Sequence, residues 1–480
     1  TLTFGLRYDR YTSDDNPTEN KKFEERYGIM NTKNLDGVDL LQPRVGFNWY
    51  VDDALEVRGG IGLYSGGNPN VWLSNAYSND GVTQIDERGF IANLFEEPLT
   101  NFDGGTPGYD VPQKWFDSIG NTAVGDGDGA VNSTAPNFEI PSEWKLALGA
   151  TYTTEDEYVF SVDYLYTDKQ NSALVKDIAL QTTGETAPDG RPLIEAREVS
   201  DSGRARTGDY MLTNVSGPDA KSHIISAAMS KRFDNGIDLT LSYAFTDSQD
   251  VNPMTSSTAG SNYGNIATFD PTSPALATSD YEVPHRFTLQ LGYKVELIDG
   301  FKTKFNLFGQ ASKGQPYSYL FSGSDSAFGD ASWNSRSGRQ LMYVPEVNDD
   351  KVTYDMTADE IKGFHNWISE QGLERGQIAA RNSQNADWFK KLDFKITQEV
   401  PGFMDGHKGE VFFVIDNLTN MLNDDWGVMR KGNFVGNRVV KASIVDGKYV
   451  YSDFNADAAT QSVQKDVSVW EMRFGVKYTF

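Results

Sequence analysis

The sequence predicts an all-β fold: an antiparallel transmembrane β-barrel with about twelve strands in this chain. Three observations carry this. Apolar and polar residues alternate along many separate segments, the side-chain period of a strand. Short and long connections between the segments alternate strictly. Aromatic residues gather at segment ends, where a barrel meets the membrane interfaces.

In chain order, Leu2, Phe4, Leu6 and Tyr8 alternate with Thr3, Gly5 and Arg7. Val45, Phe47, Trp49 and Val51 alternate with Arg44, Gly46, Asn48 and Tyr50, and Leu55, Val57, Ile61 and Leu63 with Glu56, Arg58, Gly60 and Gly62. Trp144, Leu146, Leu148 and Tyr152 share one face of the next segment, and Tyr158, Phe160, Val162, Tyr164 and Tyr166 share one face of its partner. The stretches 237–245 and 286–297 repeat the pattern, as does Leu392–Thr397. Less regular strands fit near 221–233, 301–316 and 409–418. The last segment, Trp470 to Phe480, places Trp470, Met472, Phe474, Val476, Tyr478 and Phe480 on one side and Glu471, Arg473, Gly475, Lys477 and Thr479 on the other. A closing strand of this kind ends bacterial outer-membrane barrels, so Tyr478 and Phe480 are read as an assembly signal. In that reading the apolar side meets lipid and the polar side the lumen.

The connections agree. Asp52-Asp53, Thr154-Glu155-Asp156, Asp234-Asn235-Gly236 and Asp299-Gly300 are tight hairpin turns, and Pro401 to Lys408 is a slightly longer one. Between them run long segments near 12–41, 65–141, 167–220, 247–282, 317–386 and 419–466, expected to be loops of weak secondary structure. Short periplasmic turns and long extracellular loops put Thr1 and Phe480 on the periplasmic side. Trp49, Tyr152, Tyr158, Tyr293 and Tyr478 are expected at one membrane interface, and Tyr64, Trp144, Tyr166, Trp388 and Trp470 at the other.

Composition narrows the function classes. Without cysteine, no disulfide or thiolate metal site is available. No apolar run reaches the length of a transmembrane helix. A net charge of −25 argues against nucleic acid as a partner. The four histidines lie in no catalytic or zinc-binding spacing, and Ser222 and His223, adjacent in a strand, point to opposite faces. No enzyme is expected. A strand pattern alone also fits a soluble β-protein, which would have shorter loops and no aromatic girdles.

Several segments together resemble the TonB-dependent receptors, in particular the Oar-like group. They are Gln42-Pro43-Arg44-Val45-Gly46-Phe47-Asn48-Trp49 with Val57-Arg58-Gly59-Gly60-Ile61-Gly62-Leu63-Tyr64, and Pro69 to Asn79 after them. Val283-Pro284-His285-Arg286-Phe287, Arg375 to Asn382 leading to Trp388, Gln398 to Phe403, and Asp416-Asn417-Leu418-Thr419-Asn420 complete the set. The resemblance implies that residues 1–480 are the C-terminal part of a 22-stranded plugged barrel, the plug domain lying outside this chain. It implies a receptor that moves a substrate across the outer membrane, energised by the TonB complex through that plug. Membrane lipid and the barrel-assembly machinery, engaged through the C-terminal strand, are the further partners. The alternative is a self-contained barrel acting as a pore, translocator or adhesin.

Candidate residues follow from these readings. Arg44, Arg58, Lys145, Arg286 and Arg473, with Asp163, Lys294 and Glu296, are expected to face the lumen or a plug. The loops are rich in Asn, Ser, Gly and aromatics, which suits hydrogen bonding and stacking on a ligand, with Trp72, Tyr77, Trp333 and Trp367 as candidate contacts. Thr357-Ala358-Asp359-Glu360 reads as a capping box, followed by an apolar stripe at Ile361, Phe364, Trp367 and Ile368 and a C-terminal Gly372. Asp126 and Asp128, set among glycines, offer the oxygens that Ca²⁺ takes, although the EF-hand pattern fails at Ala130, Val131 and Asn137. No other cofactor is indicated.

Overall fold

The computed structural model describes residues 1–66, 69–83, 129–199, 206–218, 220–323, 325–330, 338–404, 406–457 and 459–480. Twelve long strands form one continuous antiparallel sheet: β1 (Leu2–Arg10), β2 (Asp39–Tyr50), β3 (Leu55–Ser65), β4 (Ser142–Thr153), β5 (Val159–Gln170), β6 (Lys221–Arg232), β7 (Ile237–Asp250), β8 (His285–Ile298), β9 (Phe301–Ser312), β10 (Phe389–Pro401), β11 (Lys408–Asp416) and β12 (Glu471–Thr479). Each strand pairs with its neighbour in sequence, so the sheet is a succession of hairpins with β1 and β12 at its two edges. No helix among the described residues is long and apolar enough to cross a membrane.

The register keeps every strand in phase. Opposite Leu148 stands Tyr164, opposite Tyr164 stands Ile225, and opposite Ile225 stands Phe245. One residue along, Gly149 faces Asp163 and Asp163 faces Ser226. A slip of one residue would move every side chain to the other face, so the alternation itself selects this pairing. The apolar face has no protein against it: Phe4 is 75% and Phe474 72% exposed. A contiguous apolar surface of this extent is stable against hydrocarbon rather than water.

The short turns are built locally. The Asp52 carboxylate accepts the N–H groups of Ala54 and Leu55. Gly236, at φ +87°, lies so close to the Lys294 carbonyl that a Cβ would collide with it. Only glycine adopts that conformation and leaves the gap.

The described parts of the long connections are not weakly structured, which corrects the expectation from sequence. They hold most of the buried apolar side chains among the described residues. One core gathers Tyr319, Phe321, Phe328, Met342, Phe364, Ile368, Val440, Tyr449 and Tyr451, and a second gathers Leu35, Phe138, Ile140, Val175, Leu180, Leu212, Met254 and Tyr263. Strands from different loops pair here. Tyr319–Ser322 runs parallel to Asn437–Val445, and Val352–Tyr354 runs parallel to Lys448–Ser452. The described parts of these connections thus interlock into one folded cap at the long-loop end of the sheet.

The helix Ala358–Glu370 of this cap has the ends that the sequence predicts. Thr357 Oγ1 accepts the Glu360 N–H at 3.3 Å, and the Glu360 carboxylate accepts the Thr357 N–H at 2.7 Å. Gly372 (φ +64°) and Leu373 close it, their N–H groups donating to the Ser369 and Ile368 carbonyls at 3.2 and 3.1 Å. This is the Schellman arrangement, with Gly in the left-handed position. Phe364, Trp367 and Ile368 are buried against the first core.

Candidate functional site: the polar face and its cap

The inner phase of the alternation collects charge. Arg44, Arg58, Lys145, Arg286 and Arg473 all fall on the polar face, as do Asp163, Lys294 and Glu296. Arg44, Arg58, Lys145, Arg286 and Arg473 each meet a partner within the sheet, whereas Lys294 lies beside Lys302 and Lys304. Arg58 pairs with Asp163 at 2.5 Å and donates to Thr151 Oγ1 at 2.9 Å. Arg44 lies over the Tyr64 ring, 4.2 Å from its centroid, and Lys145 pairs with Glu143 at 2.6 Å. Arg286 donates to Gln310 at 3.0 Å, and Arg473 is held by Asp416 and Glu471. Toward the short-turn end, Lys304 lies 3.5 Å from Glu399 and 3.8 Å from Glu410, which Lys477 also approaches at 3.8 Å. The face is therefore a cross-strand network of partly exposed charges, not a row of isolated cations.

Tyr64 is corrected by this register. The sequence puts it at a lipid interface, but it follows Leu63, which points outward, and so stands inside with Arg44 and Lys145. The lipid-side aromatics at the long-loop end are instead Trp144, Tyr166, Phe245 and Trp388, joined by His223 and His285. Neither histidine has a catalytic partner. His223 bonds the Tyr164 hydroxyl and His285 the Tyr243 hydroxyl, both at 2.9 Å. Every histidine of the chain pairs with a tyrosine in this way, His365 with Tyr354 at 3.1 Å and His407 with Tyr478 at 2.8 Å. Tyr478 also accepts the Phe403 N–H at 3.1 Å, so the last short turn grips the closing strand, while Phe480 is exposed.

The cap places the aromatic candidates differently from one another. Trp72 is half-buried and donates its indole N–H to the Ser256 carbonyl at 3.1 Å. The Tyr77 hydroxyl donates to the Asp15 carbonyl at 2.8 Å. Trp367 is buried edge-on against Tyr319, 4.9 Å between ring centroids, and serves the core rather than a surface. Trp333, Asp126 and Asp128 lie outside the described residues. Among the described residues, no group of three or more acidic or histidine side chains is disposed to hold a metal ion.

Sequence reasoning missed the charged pins that lock the cap. Arg191 pairs with Asp189 at 2.6 Å with both side chains fully buried, and reaches Gln340 and the Leu341 carbonyl in another loop. Arg339 pairs with Asp330 at 2.7 Å, and Arg381 with Asp250 at 2.7 Å. Burial pushes the Asp177 carboxyl up to about 7, against the N–H groups of Gly208 and Ala179 that favour its ionised form. Only the Arg381-Asn382 pair had a signal in the sequence, as part of a segment that resembles the receptors. Asn382, at φ +58°, ties the Thr278 carbonyl and Asp280 to Ser318. Asn417 plays the same part above β11. It is buried at φ +56° and donates to the Gly427 and Ser468 carbonyls. These motif residues join loops; they do not line a ligand pocket.

Residues 1–423 match the family model described as an outer membrane beta barrel domain. No curated protein matches the sequence. Among solved structures, a ferric enterobactin receptor mutant (PfeA) from Pseudomonas aeruginosa is 9% identical, with 92% of this chain and 40% of that chain covered and a TM-score of 0.40. BauA, the ferric preacinetobactin receptor from Acinetobacter baumannii, is 11% identical (99% and 40% covered, TM-score 0.39). The copper transporter OprC is 9% identical (100% and 45% covered, TM-score 0.41). The chain thus spans less than half the length of these structures.

Proposed function

The chain belongs to the outer membrane beta barrel domain family, and from that premise we propose that it is the C-terminal barrel portion of a TonB-dependent receptor. In this reading it takes up a substrate across the outer membrane with energy delivered by the TonB complex. A plug domain, contributed by sequence beyond this chain, rests against the polar face. The observation that supports this most is the pairing of a polar wall of largely cross-strand charge pairs with a cap in which the described parts of the long connections interlock. A wall of cross-paired charges offers hydrogen bonds to a removable plug without gripping it, because partly exposed pairs contribute little each. A rigid cap suits capture at the cell surface. Arg381-Asn382 and Asn417, from segments that resemble the receptors, tie the loops of that cap together.

The alternative is a self-contained pore, translocator or adhesin. Conductance of the protein purified from its native membrane, in planar lipid bilayers, separates them. A plugged receptor stays electrically silent in its native state and binds the periplasmic domain of TonB. Steady ohmic steps from the native protein, with no TonB binding, would sink the receptor reading in favour of the pore.

A further inference from the structure

The pairing of charges on the polar face breaks on either side of a hollow in β7–β10. Asp238 on β7 stands directly opposite Arg232 on β6, yet no ion pair joins them. The Asp238 carboxylate leans the other way, over Gly292 on β8, and fills the space that a side chain at 292 would take. Two strands further on, Lys395 on β10 also lacks a carboxylate. Its ammonium lies 5.3 Å from the centre of the Phe412 ring, and that ring in turn covers Gly475. Other lysines of this face do find carboxylates: Lys391 meets Asp393 at 3.1 Å, and Lys304 meets Glu399 at 3.5 Å. Among the described residues no hydrogen bond or ion pair holds the side chains of Asp238, Lys395, Gln290 or Asn306.

The hollow has a volume of about 290 Å³. Asp238 bounds one end and Lys395 the other, with Gln290, Asn306 and Phe308 between them. The register puts all five on the lumen side: Gly292 stands opposite Asp238 and Asn306, Asn306 opposite Lys395, and Gln290 opposite Phe308. From β8, where the Asp238 carboxylate lies, to β10 is two strand spacings, roughly 10 Å. Three residues of extended peptide span about 10 Å. The two side-chain amides both donate and accept, as peptide groups require of a partner.

We propose that this hollow binds a short zwitterionic peptide. Asp238 takes its terminal ammonium, Lys395 takes its terminal carboxylate, and the amides of Gln290 and Asn306 bond the peptide groups between. Phe308 offers an apolar surface to one side chain. Recognition of both termini makes the site selective for length and tolerant of sequence. The site belongs to the barrel wall itself, in a plugged receptor and in an open pore alike.

Isothermal titration calorimetry of the intact protein in a neutral detergent tests this with triglycine, N-acetyl-triglycine and triglycine amide. The wild-type protein should bind triglycine and lose roughly tenfold in affinity for each blocked terminus, the effect of one hydrogen bond to a charged group. D238N should weaken triglycine roughly tenfold and leave N-acetyl-triglycine unchanged. K395Q should weaken triglycine equally and leave triglycine amide unchanged. Both side chains are exposed, so neither change disturbs a packed core. A wild-type protein that binds no triglycine, or binds the three peptides equally, would overturn the proposal. So would variants that keep the wild-type preference for free termini. Either result leaves conductance and TonB binding, the measures of the proposed function, to be read separately.

Discussion

Arg58 on β3 reaches Asp163 on β5 across the intervening strand, and does so only because Gly149 stands between them. The 2.5 Å ion pair skips a strand by occupying the space that a side chain at 149 would fill. A Cβ there would clash with the Asp163 carboxylate and press on the Arg58 guanidinium. Gly149→Ala should therefore destabilise the sheet by about 1–3 kcal/mol, the usual cost of forcing a group into filled space. Gly5→Ala is the control, since its added carbon meets nothing nearer than Arg44 Cβ at 3.9 Å. The temperature at which the folded protein loses its compact mobility on a gel reads both. Equal behaviour of the two variants would refute the account.

The Arg191–Asp189 pair gives a sharper contrast, because both side chains are fully buried. Arg191→Met leaves Asp189 charged and unpaired and should cost about 3–5 kcal/mol of cap stability. Arg191→Met with Asp189→Asn should cost less than the single change. Protease resistance of the cap in intact protein measures both, and a double variant worse than the single would contradict the argument.

Removing the helix cap should act locally. Thr357→Ala loses the Oγ1 acceptor for Glu360 N–H and should cost about 0.5–2 kcal/mol. Hydrogen exchange should quicken over Ala358–Glu370 while β1–β12 stay protected.

The cap holds two titrating groups of opposite sign. His365 lies between Tyr354 and Arg375, whose guanidinium donates to its Nδ1 at 2.8 Å. Burial and then the Arg375 charge lower its pKa below 6.5, so the folded state binds fewer protons than the unfolded. That contribution is present above 6.5 and is lost as pH falls below it. Asp177 is the reverse. Its pKa is raised from 3.8 to about 7, so the folded state holds the extra proton and stability declines as pH rises across that window. Melting the cap at pH 5 and pH 8, His365→Gln should lose the acid-side decline. Asp177→Asn should flatten the decline between pH 4 and pH 7. A wild-type slope in either variant would exclude that group as the cause.

Much of the sheet was legible because its signals are local. Val159–Gln170 alternates by itself, and Asp234-Asn235-Gly236 turns by itself, so strand and hairpin follow without knowledge of the rest. Thr357 and Glu360 likewise carry their helix start within four residues. The cap was not legible. Tyr319 pairs with Asn437, and Arg191 reaches Leu341, over separations that no local pattern encodes. Tyr64 shows the same limit within a strand: an aromatic at a strand end suggests a girdle, but one residue of register decides between lipid and lumen.

The sequence by itself determined that this chain is a succession of antiparallel hairpins with one lipid-facing side, because period and turn chemistry are properties of neighbouring residues. Tertiary structure alone decided which cations are neutralised by which carboxylates and which loop aromatics are buried. It also decided how the long connections become one cap. Those outcomes depend on side chains meeting across hundreds of residues, where burial and charge pairing act only after the chain has folded.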